Sequence, residues 1–132
     1  MIKIVMDTNV IVSAILSPNG NPARIIALVS IDEDLQIFYS KDILAEYEKV
    51  FAYKRLNIPI AARYTIISTI QQFGILVEPT ASTILLLDES DRIFYDAAKG
   101  SGAILITGNI KHFPPDPLIM TPSYFIERLY EN

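Results

Sequence analysis

Cysteine is absent from this 132-residue sequence, and histidine occurs only once, at position 112. The absence of cysteine excludes disulfide bonds, zinc–thiolate sites and cysteine nucleophiles. One histidine cannot supply the several nitrogen ligands that zinc requires, so His112 is expected to be a packed or exposed ring rather than a catalyst. A chain without disulfides suits a reducing compartment such as the cytoplasm.

Long apolar runs are missing as well. No stretch approaches the roughly 18 apolar residues that a membrane-spanning helix needs. The apolar N-terminal stretch does not predict a signal peptide, because Asp7 interrupts it too early. We therefore expect a soluble cytoplasmic protein that makes no contact with a membrane.

Basic charge is scarce: 11 Lys and Arg residues stand against 15 Asp and Glu residues, for a net charge of −4. The only adjacent basic pair is Lys54-Arg55. Proteins that hold nucleic acid by neutralising its phosphates with side chains are basic. Either this protein binds no nucleic acid, or bound cations supply the positive charge that its side chains lack.

The chain is apolar enough to fold, since 51% of its residues are hydrophobic. Its length predicts a single domain over residues 1–132 with one sizeable core. The first apolar run ends at Met6 and is short and rich in β-branched residues, which is typical of a strand buried on both faces of a parallel sheet. Thr8 or Asn9 is expected to cap the helix that follows.

Short buried strands alternate with helices along the rest of the chain. Further strands are predicted at residues 35–39, 75–77, 103–106 and 118–120. Helices are predicted at residues 9–16, 22–29, 41–53, 60–73, about 88–100 and 122–129. Residues 83–87 are left open as a connection or a short strand. This alternation predicts an α/β fold, a three-layer α/β/α sandwich with a mainly parallel central sheet, whose chemistry lies at the carboxyl ends of the strands.

Two carboxylates stand out in the first half of the chain. Asp7 directly follows the first strand, where it could also serve as a helix cap. Glu46 lies at one edge of the apolar stripe of the helix at 41–53, and Glu48 lies at the other edge. Periodicity alone cannot choose between the two glutamates, and a solvated helix edge explains either of them.

An acidic run, Asp88-Glu89-Ser90-Asp91, precedes the helix that ends near Gly100. Asp88 or Ser90 can cap that helix, and Asp91 can complement its dipole. A functional role for Asp91 is an equal alternative to this structural one. Asp96 lies well round the helix from its apolar positions and is expected in solvent.

Thr107-Gly108-Asn109 follows the strand predicted at 103–106. Gly108 allows a close approach of the backbone, and Thr107 can hydrogen-bond a ligand water or a phosphate. Asn109 either caps a short helix or contributes to a site.

Each of these residues has a structural explanation when it is taken alone. Together, Asp7, Glu46, Asp91 and Asn109 lie at strand ends or helix beginnings that a doubly wound sheet can bring to one edge. Oxygen-only ligands suit Mg²⁺ or Mn²⁺, and clustered carboxylates repel one another without a cation. Such a metal site can activate a water and stabilise an in-line displacement at phosphorus. Bound metal would also explain how an acidic protein meets a phosphate.

Four segments resemble the PIN-domain family, which includes the VapC-type toxins: residues 7–14, 40–47, 88–98 and 104–113. The resemblance covers nearly the whole chain in order. It implies a parallel sheet between helices, RNA cleavage with a divalent metal, a small antitoxin partner and a homodimer. Carried over to this sequence, Asp7, Glu46 and Asp91 would hold the metal and position the attacking water.

One residue departs from the family's pattern, because Asn109 stands where an aspartate is common. An amide oxygen can still ligate Mg²⁺ or hold a metal-bound water, but one negative charge is lost. We therefore expect one firmly held ion and a second that binds more weakly.

The sequence favours a Mg²⁺- or Mn²⁺-dependent endoribonuclease, a toxin neutralised by a cognate antitoxin. The alternative is a catalytically weak or inactive PIN-like module that binds RNA or a protein partner, which Asn109 and the acidic composition favour. A phosphatase with an aspartyl nucleophile would need an aspartate at position 9, which is Asn9. No Gly-rich phosphate loop or dinucleotide fingerprint is present.

Overall fold

A parallel sheet of five strands forms the centre of the protein in residues 1–131, the part of the chain that the computed structural model describes. The strands are β1 (Ile2–Met6), β2 (Leu35–Tyr39), β3 (Ile75–Leu76), β4 (Ile104–Ile106) and β5 (Ile119–Met120). They lie in the order β3–β2–β1–β4–β5, and all neighbouring strands are parallel. The strand order therefore reverses between β1 and β4, and ligands of such sheets bind in the crevice at that switch point.

Helices cover the sheet. They are α1 (Thr8–Leu16), α2 (Asn21–Ile31), α3 (Lys41–Phe51), α4 (Ile60–Phe73), α5 (Arg92–Ser101) and α6 (Pro122–Leu129). Helix α5 packs on β1, β2 and β4, whereas α2 contacts β2 as well as α1, α4 and α6. The three-layer α/β/α sandwich with a parallel sheet is confirmed. None of the helices within residues 1–131 is both long and apolar enough to cross a membrane.

The central strands are buried on both faces, as is usual for strands of a parallel sheet that helices cover. Ile4, Val5 and Met6 of β1 are all completely buried, so neither face of this strand meets solvent. Leu105 and Ile106 of β4 are buried in the same way. Complete burial of one such aliphatic side chain contributes about 1.5–3 kcal/mol to folding. The core therefore fixes the positions of β1 and β4, and with them the carboxyl ends at which the candidate site lies.

Two glycines meet specific demands of the fold. Gly102 ends α5 in the left-handed conformation at φ 66°, which favours glycine. Gly74 ends α4, and a Cβ atom there would collide with the carbonyl oxygen of Ile70 and crowd that of Ile37 in β2. The C-terminal ends predicted for the helices at residues 60–73 and about 88–100 agree to within one residue with the helix ends at these glycines.

Some predicted boundaries were wrong. Helix α1 begins at Thr8, one residue earlier than predicted, and Asp7 caps it, which is one of the two roles predicted for Asp7, so neither Thr8 nor Asn9 is the cap. Helix α3 ends at Phe51, two residues early, because the chain turns into a short 3₁₀ helix at Lys54–Leu56. Residues 83–87 form a connection without regular structure.

Asp96 was expected in solvent but is buried, with an exposed fraction of 6%. The reason lies in residues 77–88, the β3–α5 connection, which folds back over α5. The backbone N–H of Ser82 donates to Asp96 Oδ2 at 3.0 Å. One helical turn earlier, Arg92 donates to the carbonyl oxygens of Ser82 and Ile84. These bonds hold the connection immediately before the acidic run.

Candidate active site

An open cleft of about 460 Å³ lies at the carboxyl edge of the sheet, at the switch point between β1 and β4. All four residues of the predicted site line this cleft: Asp7, Glu46, Asp91 and Asn109. Their elements are far apart in the sequence, and the strand order brings them to one place. The cleft is therefore the candidate active site.

Asp7 occupies the bottom of this arrangement and is almost fully buried, with an exposed fraction of 6%. Its Oδ1 accepts from the backbone N–H of Thr8 at 2.8 Å, and its Oδ2 accepts from the hydroxyl of Thr107 at 2.8 Å. Burial raises the pKa of Asp7 above 3.8, and the nearby charge of Glu46 adds to this effect, although the two hydrogen bonds oppose it. The carboxylate is thus fixed in position but is costly to ionise without a nearby cation.

Thr107 was expected to reach a ligand water or a phosphate, and the structure corrects this expectation. Its side chain is completely buried at the end of β4. The hydroxyl donates to Asp7 and accepts from the backbone N–H of Asn109 at 3.0 Å. Thr107 therefore positions Asp7 and the following loop.

Asn9 forms a second bridge between the same two strand ends. Its Oδ1 accepts from the backbone N–H of Gly108 at 3.1 Å. A Cβ atom at Gly108 would lie 3.4 Å from that oxygen, at the limit of ordinary contact. The contact at Gly108 therefore does not require glycine, and Asn9 binds the loop after β4 instead of capping α1.

Helix α3 turns Glu46 towards the cleft and leaves Glu48 exposed outside it. The rotation of this helix is fixed by the fully buried Tyr47, whose hydroxyl donates to the carbonyl oxygen of Met6 in β1. Its ring centroid lies 6.1 Å from that of Phe94 in α5. The sequence showed Tyr47 only as an apolar position and gave no signal of this polar anchor.

The acidic run supplies two more carboxylates. Asp88 caps the 3₁₀ helix Glu89–Asp91 and accepts from the backbone N–H and the hydroxyl of Ser90 at 3.0 and 2.7 Å. These bonds lower the pKa of Asp88. Asp91 is buried with an exposed fraction of 9%. Burial raises the pKa of Asp91, and the charge of Asp7 raises it further, so the two carboxylates repel each other across the cleft.

His112 also lines the cleft, although the sequence pattern predicted only a packed or exposed ring. Its Nδ1 lies 3.1 Å from Asp91 Oδ2, and its side chain is 42% exposed. The 3₁₀ helix Ile110–His112 carries it back to the cleft, where Asn109 occupies the N-cap position without a side-chain capping bond. The sequence did indicate this location indirectly, because His112 follows closely after β4, whose carboxyl end lies at the cleft.

The compact group of possible metal ligands differs from the four residues predicted from the sequence. Donor atoms of Asp88, Asp91 and His112 all lie within 4.8 Å of one another. Within residues 1–131, Asp7, Glu46 and Asp91 share the cleft but do not form such a compact trio. Asn109 is exposed at the rim of the cleft.

Comparison with known proteins identifies the family. A family model described as the PIN domain matches residues 3–111. The chain belongs to the PIN-domain family. An uncharacterized protein of Methanocaldococcus jannaschii, MJ1680, is 32% identical over 111 residues, which cover 82% of this chain and 71% of that protein.

The fold is also similar to a solved structure, the crystal structure of VapBC2 from Rickettsia felis bound to a DNA fragment from their promoter. The match covers 91% of this chain and 97% of that chain, with a TM-score of 0.60 and 18% sequence identity. At that identity the likeness concerns the fold. It agrees with the resemblance to VapC-type PIN domains that the four sequence segments carry.

PIN domains are generally metal-dependent nucleases, and the donor atoms in this cleft fit a divalent ion. The cleft gathers four carboxylates, and Arg55 is the only Lys or Arg side chain that lines it within the described residues. In addition, the hydroxyl of Thr8, in the same wall, is buried without a hydrogen-bond partner in residues 1–131. Oxygen ligands with an excess of negative charge and an unsatisfied hydroxyl suit a hydrated Mg²⁺ or Mn²⁺.

Proposed function

We propose that this PIN domain is a Mg²⁺- or Mn²⁺-dependent endoribonuclease that hydrolyses phosphodiester bonds of RNA. The observation that carries the proposal is the convergence of Asp7, Glu46 and Asp91 on one cleft at the switch point of the sheet. The arrangement has too much negative charge to accept a phosphate by itself. A divalent ion reverses that balance and makes the cleft suitable for an anionic substrate.

In this proposal Asp7, Glu46 and Asp91 hold the ion, and the amide oxygen of Asn109 contributes from the rim. A bound divalent ion supplies an activated water and neutralises charge that develops on the phosphate. Asp7 is the rigid member, because Thr107 and Thr8 fix both of its oxygens. Glu46 is the adjustable member, since its side chain is 27% exposed, and it orients the attacking water.

Arg55 completes the proposed substrate site. It lies in the short 3₁₀ helix Lys54–Leu56 at the edge of the cleft, with its guanidinium 5.1 Å from the ring centroid of Tyr53. A planar guanidinium is suited to bidentate contact with a phosphate. We assign it to the RNA backbone next to the bond that is cut.

The test compares two glutamates of the same helix. Purified parent protein, Glu46→Gln and Glu48→Gln are incubated with a pool of structured and single-stranded RNA in Mg²⁺, in Mn²⁺ and in chelator. We expect metal-dependent cleavage by the parent and Glu48→Gln, and at least about a hundredfold loss in Glu46→Gln, because general base and positioning groups contribute about that much. A double variant, Asp7→Ala with Asp91→Ala, should be inactive.

Absence of cleavage by a well-folded parent in either metal would overturn the proposal. The protein would then be a module that binds RNA or a protein partner without cutting it. Asn109→Asp would be the first variant to examine in that case, because it restores the carboxylate that PIN domains commonly have there.

We further propose that the protein is a cytoplasmic toxin, forms a homodimer and is neutralised by a small antitoxin encoded beside it. The similarity of its fold to the Rickettsia felis VapBC2 structure supports this role. Induced expression should arrest bacterial growth, whereas Glu46→Gln should not, and co-expression of the neighbouring small gene should restore growth. Light scattering during size-exclusion chromatography should give twice the 14.8 kDa chain mass. Arrest by Glu46→Gln equal to that by the parent would contradict a catalytic toxin.

A further inference from the structure

We propose that His112 is a direct metal ligand, so that the site combines nitrogen and oxygen donors and prefers first-row transition-metal ions to Mg²⁺. The proposal rests on the metal dependence proposed above and identifies which class of ion the protein selects. Its basis is the compact group of Asp88, Asp91 and His112, in which all three donor atoms lie within 4.8 Å of one another.

Two of the donor atoms are close enough to bind the same ion. His112 Nδ1 and Asp91 Oδ2 are 3.1 Å apart. Adjacent ligands of an octahedral ion with bonds of about 2.1 Å lie about 3.0 Å apart, from right-angle geometry. The imidazole and the carboxylate are therefore already spaced as neighbouring ligands of a single ion.

Asp88, Asp91 and His112 lie in the cleft already described. All three side chains line the same cleft as Asp7, so an ion held by them lies in the cleft that contains the proposed site. A separate feature of the wall also calls for a bound group: the hydroxyl of Thr8 is buried without a partner in the described part of the chain. A buried hydroxyl without a partner is one sign of a bound water or ion that completes its hydrogen bonding.

A nitrogen ligand changes which metal ions the site prefers. Mg²⁺ prefers carboxylate, carbonyl and water oxygens, whereas imidazole suits transition-metal ions. A site made only of carboxylates discriminates weakly between Mg²⁺ and Mn²⁺. One imidazole ligand shifts that balance towards Mn²⁺ and, following the order of ligand affinities, further towards Co²⁺.

The experiment measures binding and the identity of the ligand directly, on the full-length protein. Titration calorimetry with Mn²⁺, Co²⁺ and Mg²⁺ compares the parent with His112→Asp, which makes the donor set all oxygen. We expect the parent to prefer Mn²⁺ to Mg²⁺, and His112→Asp to lose at least about tenfold in Mn²⁺ affinity, which is the loss that even an outer-shell group at a metal site can cause, with a smaller loss or none for Mg²⁺. Pulsed electron paramagnetic resonance of bound Mn²⁺ should show nitrogen hyperfine coupling in the parent and none in His112→Asp.

Each outcome bears on the proposal. Bound Mn²⁺ without nitrogen coupling in the parent would overturn it and make His112 a positioning residue for Asp91. Nuclease activity with either metal would leave the proposed function standing in that case. Failure of all three ions to bind the folded parent would overturn the metal ligand and the metal-dependent nuclease together. His112→Asn, a neutral variant, guards against misfolding caused by an added charge, and it should also lose the nitrogen coupling.

Discussion

The hydroxyl of Thr107 donates to the carboxylate of Asp7 at 2.8 Å, although the two residues are 100 positions apart in the chain. The bond joins the ends of β4 and β1, the two strands between which the sheet reverses its order. It fixes the orientation of a carboxylate that burial alone would push towards its neutral form. The geometry of the candidate site therefore depends on a residue that is completely buried and does not itself line the cleft.

Thr107→Val should destabilise the protein and weaken metal binding. Valine matches threonine in shape but removes the donor to Asp7 and the acceptor of the Asn109 N–H. Loss of bonds to buried polar groups costs about 1–3 kcal/mol, which chemical denaturation would measure. Thr65→Val is the matched control, because that hydroxyl bonds a carbonyl on the exposed face of α4. Equal stability of the two variants would show that the buried Thr107 bond contributes no more to the free energy of unfolding than the exposed Thr65 bond does.

The sequence was sufficient to predict the fold and the strand ends. Uninterrupted apolar runs identified β1 and β4, and polar residues directly after them had to meet at one edge of a parallel sheet. Asp7 and Asn109 could therefore be placed without tertiary information. The helix ends at Gly74 and Gly102 were equally accessible, because their signals are local.

The remaining features depend on contacts between distant elements. The choice of Glu46 over Glu48 follows from the rotation of α3, which Tyr47 sets through a carbonyl of β1. Burial of Asp96 requires the β3–α5 connection to fold over α5. The position of His112 depends on a 3₁₀ turn that returns to the cleft. No periodicity in the sequence encodes these packing relationships.

Tyr47→Phe should lower stability and disturb the site together. The substitution removes the donor to the carbonyl oxygen of Met6, in a fully buried environment, at a cost of about 1–3 kcal/mol. Because the same bond sets the rotation of α3, the variant should also bind metal more weakly through Glu46. Thermal unfolding in chelator and calorimetry with Mn²⁺ measure the two effects. Tyr64→Phe, at a 75% exposed position of α4, should change neither.

Asp7→Asn should stabilise the metal-free protein more at pH 7 than at pH 4, relative to the parent. The pKa of Asp7 is raised above 3.8 by burial, so the folded state binds this proton more tightly than the unfolded chain does. The stability supplied by the protonated carboxyl is present below about pH 3.8 and is lost as the pH rises through the folded pKa. Asparagine stays neutral throughout and escapes that loss.

The measurement is the difference in free energy of unfolding between Asp7→Asn and the parent, in chelator, across this pH range. The altered hydrogen bond to Thr107 changes this difference in free energy by the same amount at every pH. It therefore leaves the pH dependence of the difference unchanged. A difference that does not vary with pH would mean that Asp7 ionises at no cost in the folded protein. In Mn²⁺ the parent should recover stability, and the variant should recover much less.

Arg55→Ala should weaken binding of RNA without changing the fold. Arg55 is the Lys or Arg side chain that lines the cleft among the described residues. Removing one phosphate contact should reduce the slope of log affinity against log salt by about one unit. The binding is measured in the Glu46→Gln background in Mn²⁺, in which cleavage should be at least about a hundredfold slower, so that most of the RNA stays intact. Arg24→Ala is the control, because that guanidinium contacts Asn21 and the ring of Tyr130; an equal effect of both variants would indicate unspecific charge attraction.

Asn109→Asp should change metal stoichiometry more than it changes the fold. Asn109 is exposed at the rim of the cleft, so a carboxylate there adds negative charge with little loss of hydration. The added charge strengthens attraction for a second cation beside the carboxylates of Asp7 and Asp91. Calorimetry with Mn²⁺ should show one tight and one weak site in the parent, and a tighter second site in the variant. Two equally tight sites in the parent would contradict the expectation that the amide of Asn109 weakens the second metal site. In that case His112 and Asp88 would be the residues that hold the second ion.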